Sequence, residues 1–154
     1  MKRIAAILDS IRSLYNVGSI FRTADAFGVE HLYLAGLTGT PEGELNKARI
    51  HKTALGAEEA VPWSHVDDLS TLIEQLKTEG FTILALEQTP TAESLFDYQV
   101  PDKLALIVGH ELYGVNEGAL ARIDQTIHIP MLGQKESLNV SVAFGIAAAW
   151  LRNQ

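Results

Sequence analysis

Five polar residues stand in short, glycine-marked stretches where their types and spacing could do chemistry. Asn16 and Arg22 share NVGSIFRTADAFG, Glu111 lies in GHELYGV, and Ser137 and Asn139 lie in IPMLGQKESLNVSVAFG. A carboxylate such as Glu111 accepts hydrogen bonds from a ligand's hydroxyls or amine, or from the N–H groups of the segment that follows it. Ser137 can cap a following helix by bonding a free N–H. Asn139 interrupts the apolar series Leu138, Val140 and Val142. A polar amide there needs partners if buried, and loop backbone is their commonest source. Arg22 stands one step off an apolar face made by Val17, Ile20, Phe21, Ala24 and Phe27. It either pairs loosely with Asp25 on a solvated helix surface or is turned toward an anionic or polar ligand.

Other chemistries are excluded by composition. The 154 residues contain no cysteine, which removes disulfides, thiolate catalysis and thiolate metal sites. The five histidines lack H-x-x-x-H spacing, so no metal is expected. Neither G-x-G-x-x-G after a strand nor G-x-x-x-x-G-K-[ST] occurs, and there is no G-x-S-x-G elbow. A net charge of -7 argues against a protein that coats nucleic acid nonspecifically. It leaves room for a local basic patch, and the densest is Lys47, Arg49, His51 and Lys52, either a binding surface or a solvated face.

The elements that must position these residues follow from periodicity. Short apolar runs at Ile4–Leu8, His31–Ala35, Phe81–Leu86, Leu104–Val108 and Thr126–Ile129 read as strands. Helical patterns cover Val17–Phe27, Asp67–Thr78, Ala119–Ile123 and Leu138–Leu151, with Gly80 as a stop. Near-continuous apolar strands between helices predict an α/β fold whose mostly parallel sheet is covered on both faces. Ligands of such sheets sit beyond the carboxyl ends of the strands. The loops that begin at Asp9, Glu87, Gly109 and Pro130 are therefore the ones to examine, and they gather the five polar residues at one end of the sheet. With 154 residues a single domain is expected. The first apolar run is too short for a secretory signal, and the run from Val142 to Leu151 is too short to span a bilayer, so a cytoplasmic protein is expected.

Three motifs in order carry a resemblance: N-x-G-x-x-x-R-T-A as NVGSIFRTA, G-x-E-x-x-G as GHELYG, and IPMLG followed by SLNVSVA. The chain resembles the SPOUT-superfamily RNA methyltransferases of the SpoU/TrmH type, over essentially its whole length. TALGAEEAVPW is similar to another family segment, and LEQT, Leu86 to Thr89, to one found in some tRNA-guanosine members. The resemblance implies S-adenosylmethionine as cofactor, methylation of a ribose 2′-hydroxyl in tRNA or rRNA, a C-terminal trefoil knot and a homodimer. Such a knot is a rare exception to the rule against threaded chains. Cofactor contacts carry over to Leu86, Gly109, Ile129, Met131 and Leu138. The closing stretch AFGIAAAWL could supply a dimer face, or equally pack in the core.

The same resemblance assigns roles. Arg22 would stabilise and orient the nascent alkoxide, since a guanidinium is almost never deprotonated. Asn16 belongs to the same motif, Glu111 and Asn139 would shape the site, and Ser137 would orient its loop. Many relatives carry an N-terminal RNA-binding extension, whereas here the first strand starts at once. RNA selection is therefore expected from a single catalytic domain, residues 1–154, through Arg12, Lys47, Arg49 and Lys52. Departures from the pattern are His110, Leu112 and Tyr113 in the second motif, and Lys135 and Glu136 before Ser137. Base methylation and non-catalytic RNA binding on the same fold are the alternatives.

Overall fold

A computed structural model describes residues 1–154. In chain order the elements are β1 (Arg3–Asp9), α1 (Leu14–Ala26), β2 (His31–Ala35), α2 (Glu44–Ala54), α3 (Ala57–Ala60) and β3 (Trp63–Val66). They continue with α4 (Leu69–Thr78), β4 (Thr82–Leu86), β5 (Glu93–Ser94), β6 (Lys103–Gly109), α5 (Glu117–Leu120), β7 (Gln125–His128) and α6 (Val140–Arg152). The strands form one sheet in the order β3-β2-β1-β6-β4-β7-β5, and every pair is parallel.

Alternation along the strands divides the core in two. Ile4, Ala6 and Leu8 of β1 face one side, where Val17, Ile20, Phe21 and Ala24 of α1 and Phe144 and Leu151 of α6 close over them. Ala5 and Ile7 face the other, under Leu72, Ile73 and Leu76 of α4 and Ala119 of α5. This is the double covering expected of strands that are apolar throughout. Truncating Phe21 or Phe144 to alanine would cost about 3–5 kcal/mol.

Several boundaries differ from the sequence expectation, each for a local reason. α1 opens at Leu14, three residues before the expected Val17, because Ser13 caps it by accepting from the Asn16 N–H at 3.2 Å. Gly18, inside the helix, serves packing: a Cβ there would overlap the Ile50 carbonyl and the Thr53 hydroxyl of α2. α6 opens at Val140, because the Asn139 side chain accepts from the N–H groups of Ser141 (2.9 Å) and Val142 (3.4 Å). The cap is therefore Asn139, and Ser137, exposed in the preceding loop, does not serve as one. α5 is likewise shifted earlier, where Asn116 caps it. α2, α3, β3 and β5 were not expected at all.

Candidate active site

Four loops leave the carboxyl ends of β1, β4, β6 and β7 on the same edge of the sheet. Those after β4, β6 and β7 line a cleft of about 360 Å³. Its floor is Leu86, Val108, Gly109 and Ile129, and its wall is Ser137 to Val140 where the last loop runs into α6. The loop after β1 closes the site through hydrogen bonds. Glu111 accepts from the backbone N–H of Arg12 at 3.4 Å and of Ser13 at 3.2 Å, and from the side-chain amide of Asn16 at 3.5 Å. Asn16 in turn accepts from the Asn139 amide at 3.3 Å.

The electrostatics of Glu111 follow from those partners. Burial works to raise its carboxyl. Hydrogen bonds from its own N–H, from Ser13 and Arg12, and from Asn16 outweigh burial and hold it below the usual carboxylate range. The site thus keeps an ionised carboxylate at neutral pH. Glu87 and Glu136 also line the cleft, and no lysine or arginine does. The cleft therefore suits a positively charged ligand.

Backbone is brought unusually close on one side. A Cβ on Gly109 would overlap the Gly114 carbonyl carbon and the Val115 amide, so only glycine fits where the second loop folds back on its strand. Glu87 spans the two loops by accepting from the Val115 N–H at 3.1 Å, and Gln88 donates to the Ile129 carbonyl at 2.8 Å. Asp9, buried at the end of β1, accepts from the Asn116 N–H at 2.8 Å. The Nδ1 of His128 is buried beside the cleft with no protein partner.

The expected residues can now be located. Leu86, Gly109, Ile129, Met131 and Leu138 all line the cleft, together with Glu111, Ser137 and Asn139. Asn16 is joined to them by its two bonds. Arg22 is exposed, about 9 Å further along α1 than Asn16 by helix rise. Its side chain makes no hydrogen bond and no ion pair, so the alternative pairing with Asp25 does not form. Arg12 is exposed at the rim. Lys47, Arg49 and Lys52 are exposed on α2, but Lys47 and Arg49 project about 160° apart around the helix, so the three do not form one face. His51 leaves that group, because its Nδ1 lies 2.6 Å from the buried Glu58 carboxylate. Glu58 is raised by burial, yet the bonds from His51 and from backbone N–H groups hold it below its ordinary value.

Sequence reasoning missed Glu87, Gln88, His128 and Glu136 as lining residues. The LEQT similarity was the available signal for the first two. His128 offered only its place at the end of a strand. No group of three or more histidine, aspartate and glutamate side chains is arranged to hold a metal ion.

Comparison with known proteins gives the chain a family. The SpoU rRNA Methylase family model matches residues 3–149. The chain belongs to the SpoU family. The 23S rRNA (guanosine-2′-O-)-methyltransferase of Neisseria meningitidis is 35% identical over 148 residues, 96% of this chain and 57% of that protein. The tRNA (guanosine(18)-2′-O)-methyltransferase of Thermus thermophilus is 32% identical over 143 residues, 93% of this chain and 71% of that protein. The structure of the A. aeolicus TrmH/SpoU tRNA modifying enzyme superposes with a TM-score of 0.88 at 29% identity, covering 100% of this chain and 76% of that one. The AdoMet-bound rRNA methyltransferase of Sinorhizobium meliloti shares the fold, with a TM-score of 0.88 at 23% identity over 99% of this SpoU chain and 57% of its own. The chain spans little more than half the length of the Neisseria relative.

Proposed function

We propose that this chain is an S-adenosylmethionine-dependent RNA methyltransferase that acts on a ribose 2′-hydroxyl of tRNA or rRNA. The observation that carries the reading is the cleft itself. Three strand-end loops build it, three carboxylates and no lysine or arginine line it, and the Glu111–Asn16–Asn139 bonds tie it to the start of α1. The residues fit the cofactor: an anionic lining matches its sulfonium and ammonium charges, and Gly109 lets the loop after β6 fold back on its strand and close one side of the cleft. Leu86, Gly109, Ile129, Met131 and Leu138 would hold it. When bound, it supplies an already activated methyl group.

The chain's own residues then have to orient the hydroxyl and manage its proton. Arg22, with no carboxylate partner, presents a free guanidinium that stabilises the developing alkoxide by charge and hydrogen bonding. Asn16, Glu111 and Asn139 fix the loops that frame the reacting groups, and Ser137 orients the last of them. Arg12, Lys47, Arg49 and Lys52 contact RNA phosphates, a role that tolerates their separate directions because phosphate contacts position without reading sequence.

Residues 1–154 act as one catalytic domain, in the cytoplasm and as a homodimer. No helix is long and apolar enough to cross a membrane. The small-residue face of α6 and the exposed Val142 support a dimer. The C-terminal half is tied in a trefoil knot. Its support is the path of the chain: β7 lies outside β4, yet α6 returns to pack on α1, carrying residues 129–139 back past the loops after β4 and β6.

Calorimetric titration with S-adenosylmethionine and S-adenosylhomocysteine, followed by a search for new 2′-O-methyl nucleotides in treated tRNA and rRNA, tests the reading. Saturable binding and newly methylated ribose are expected. No binding, even with bulk RNA added, overturns it, and methyl groups found on bases would replace ribose transfer with base transfer.

A further inference from the structure

The loop that carries Glu111 has a second face that the proposed reaction does not use. At its base His110 and Gly114 exchange both backbone hydrogen bonds, at 3.0 and 2.9 Å. Gly114 takes a φ of 70° to allow this closure. Inside the loop the His110 Nδ1 accepts from the N–H groups of Leu112 at 3.0 Å and Tyr113 at 3.2 Å. A ring nitrogen that accepts two N–H bonds carries no proton, so the neutral ring holds its proton on Nε2. The Tyr113 ring lies on this fixed imidazole, with centroids 4.8 Å apart and planes 28° from parallel.

The pair is offered to solvent beside the cleft. Tyr113 is 84% exposed and Leu112 82%. His110 and Leu112 line the cleft mouth, while Glu111 between them turns toward Arg12, Ser13 and Asn16. One stretch of chain thus binds the inside of the site with a carboxylate and presents a flat aromatic surface outside it. Backbone bonds already hold that surface in place, so little ordering cost falls on a ligand that stacks there.

We propose that Tyr113, backed by His110, is the stacking surface for an unpaired nucleobase of the RNA at the mouth of the cleft, adjoining the ribose to be methylated. The proposal rests on the RNA methyltransferase reading above. Unpaired bases are commonly held on tyrosine and histidine rings, and stacking tolerates any base because each has a π-face. A single exposed aromatic ring stacked on one fixed imidazole matches the area of one base rather than a broad protein contact. Leu112 packs against the edge of the same nucleotide.

The test uses Tyr113→Ala and Tyr113→Trp in the full chain, with unfractionated bacterial tRNA and rRNA as probes. Tyr113→Ala is expected to raise the KM for RNA about 5- to 150-fold, the equivalent of one stacked base. Tyr113→Trp is expected to restore it, while S-adenosylhomocysteine affinity and oligomeric state in Tyr113→Ala match the wild type. An unchanged KM in Tyr113→Ala overturns the proposal alone, because the wild type still methylates RNA. Equal loss of S-adenosylhomocysteine affinity makes Tyr113 a support for the cofactor loop and overturns it too. An altered oligomeric state with RNA affinity retained assigns the patch to a second copy of the chain. A wild type that methylates neither RNA overturns the functional reading and the stacking surface with it.

Discussion

The side-chain amide of Asn139 donates to the side-chain carbonyl of Asn16 at 3.3 Å, joining the starts of two helices that lie 123 residues apart in sequence. The direction of this bond is forced. Asn139 spends its carbonyl capping α6, so it has only N–H groups to offer. Asn16 must then accept with its carbonyl, which leaves its own amide to donate to Glu111. The three side chains form a relay with one polarity, ending on an ionised carboxylate.

The relay separates two uses of Asn139. Serine caps helices about as well as asparagine, whereas alanine loses about 1 kcal/mol. Asn139→Ser should therefore unfold near the wild-type temperature, and Asn139→Ala a few degrees lower. Both should slow methyl transfer about equally, since each removes the donor to Asn16. Thermal denaturation beside single-turnover kinetics makes the comparison; a fully active Asn139→Ser would show that only the cap matters.

Glu111 gives a pH dependence with a defined sign. Its carboxyl is held below the ordinary value in the folded chain, so its contribution to stability is present above that value. The contribution is lost as pH falls through the lowered folded value. Wild type should therefore be more stable than Glu111→Gln at neutral pH, with the gap closing in acid below the usual carboxylate range. Parallel urea titrations of both proteins from neutral pH into acid measure it, and a gap that persists in acid would contradict the assignment.

Arg22 makes no ion pair, so its removal should cost stability no more than about 0.5 kcal/mol. Loss of a charge donor at a developing oxyanion typically costs about 100- to 1,000-fold in rate. Arg22→Ala should thus fold and bind S-adenosylhomocysteine as the wild type does, while transferring methyl groups at least about 100-fold more slowly. Equal loss of cofactor binding would make Arg22 structural.

Gly109→Ala places a methyl group against the backbone of Gly114 and Val115. The loop has to open, at a cost of about 1–3 kcal/mol for overpacking. Cofactor affinity should fall at least tenfold, measured by calorimetry. Gly133→Ala is the control, because a Cβ at that loop position meets nothing within 4 Å.

How much of this was legible in the sequence depended on whether a signal was local. β1, β2, β4, β6 and β7 stand out because apolar residues run through them, and the site loops follow once their ends are known. α2 was obscure because only Ile50 and Ala54 are buried along it, too few to set a helical period. β5 is two polar residues whose pairing with β7 is decided entirely by tertiary contact. The cap of α6 was misplaced because Ser137 and Asn139 are both good caps, and only the chain path selects between them. Gly18 looked like part of a helix start, whereas its reason lies in α2, more than 30 residues away.

The pairing of β1 with β6, Arg3 beside Lys103 through Asp9 beside Gly109, lies at the centre of the sheet. Its partners are about 100 residues apart, and contacts of such separation form slowly. During translation β1 can pair with β2 soon after it emerges, but its other edge stays open until β6 has left the ribosome. For that interval the nascent chain displays an unsatisfied strand edge beside apolar surface, which makes it a natural client for chaperones that shield growing polypeptides.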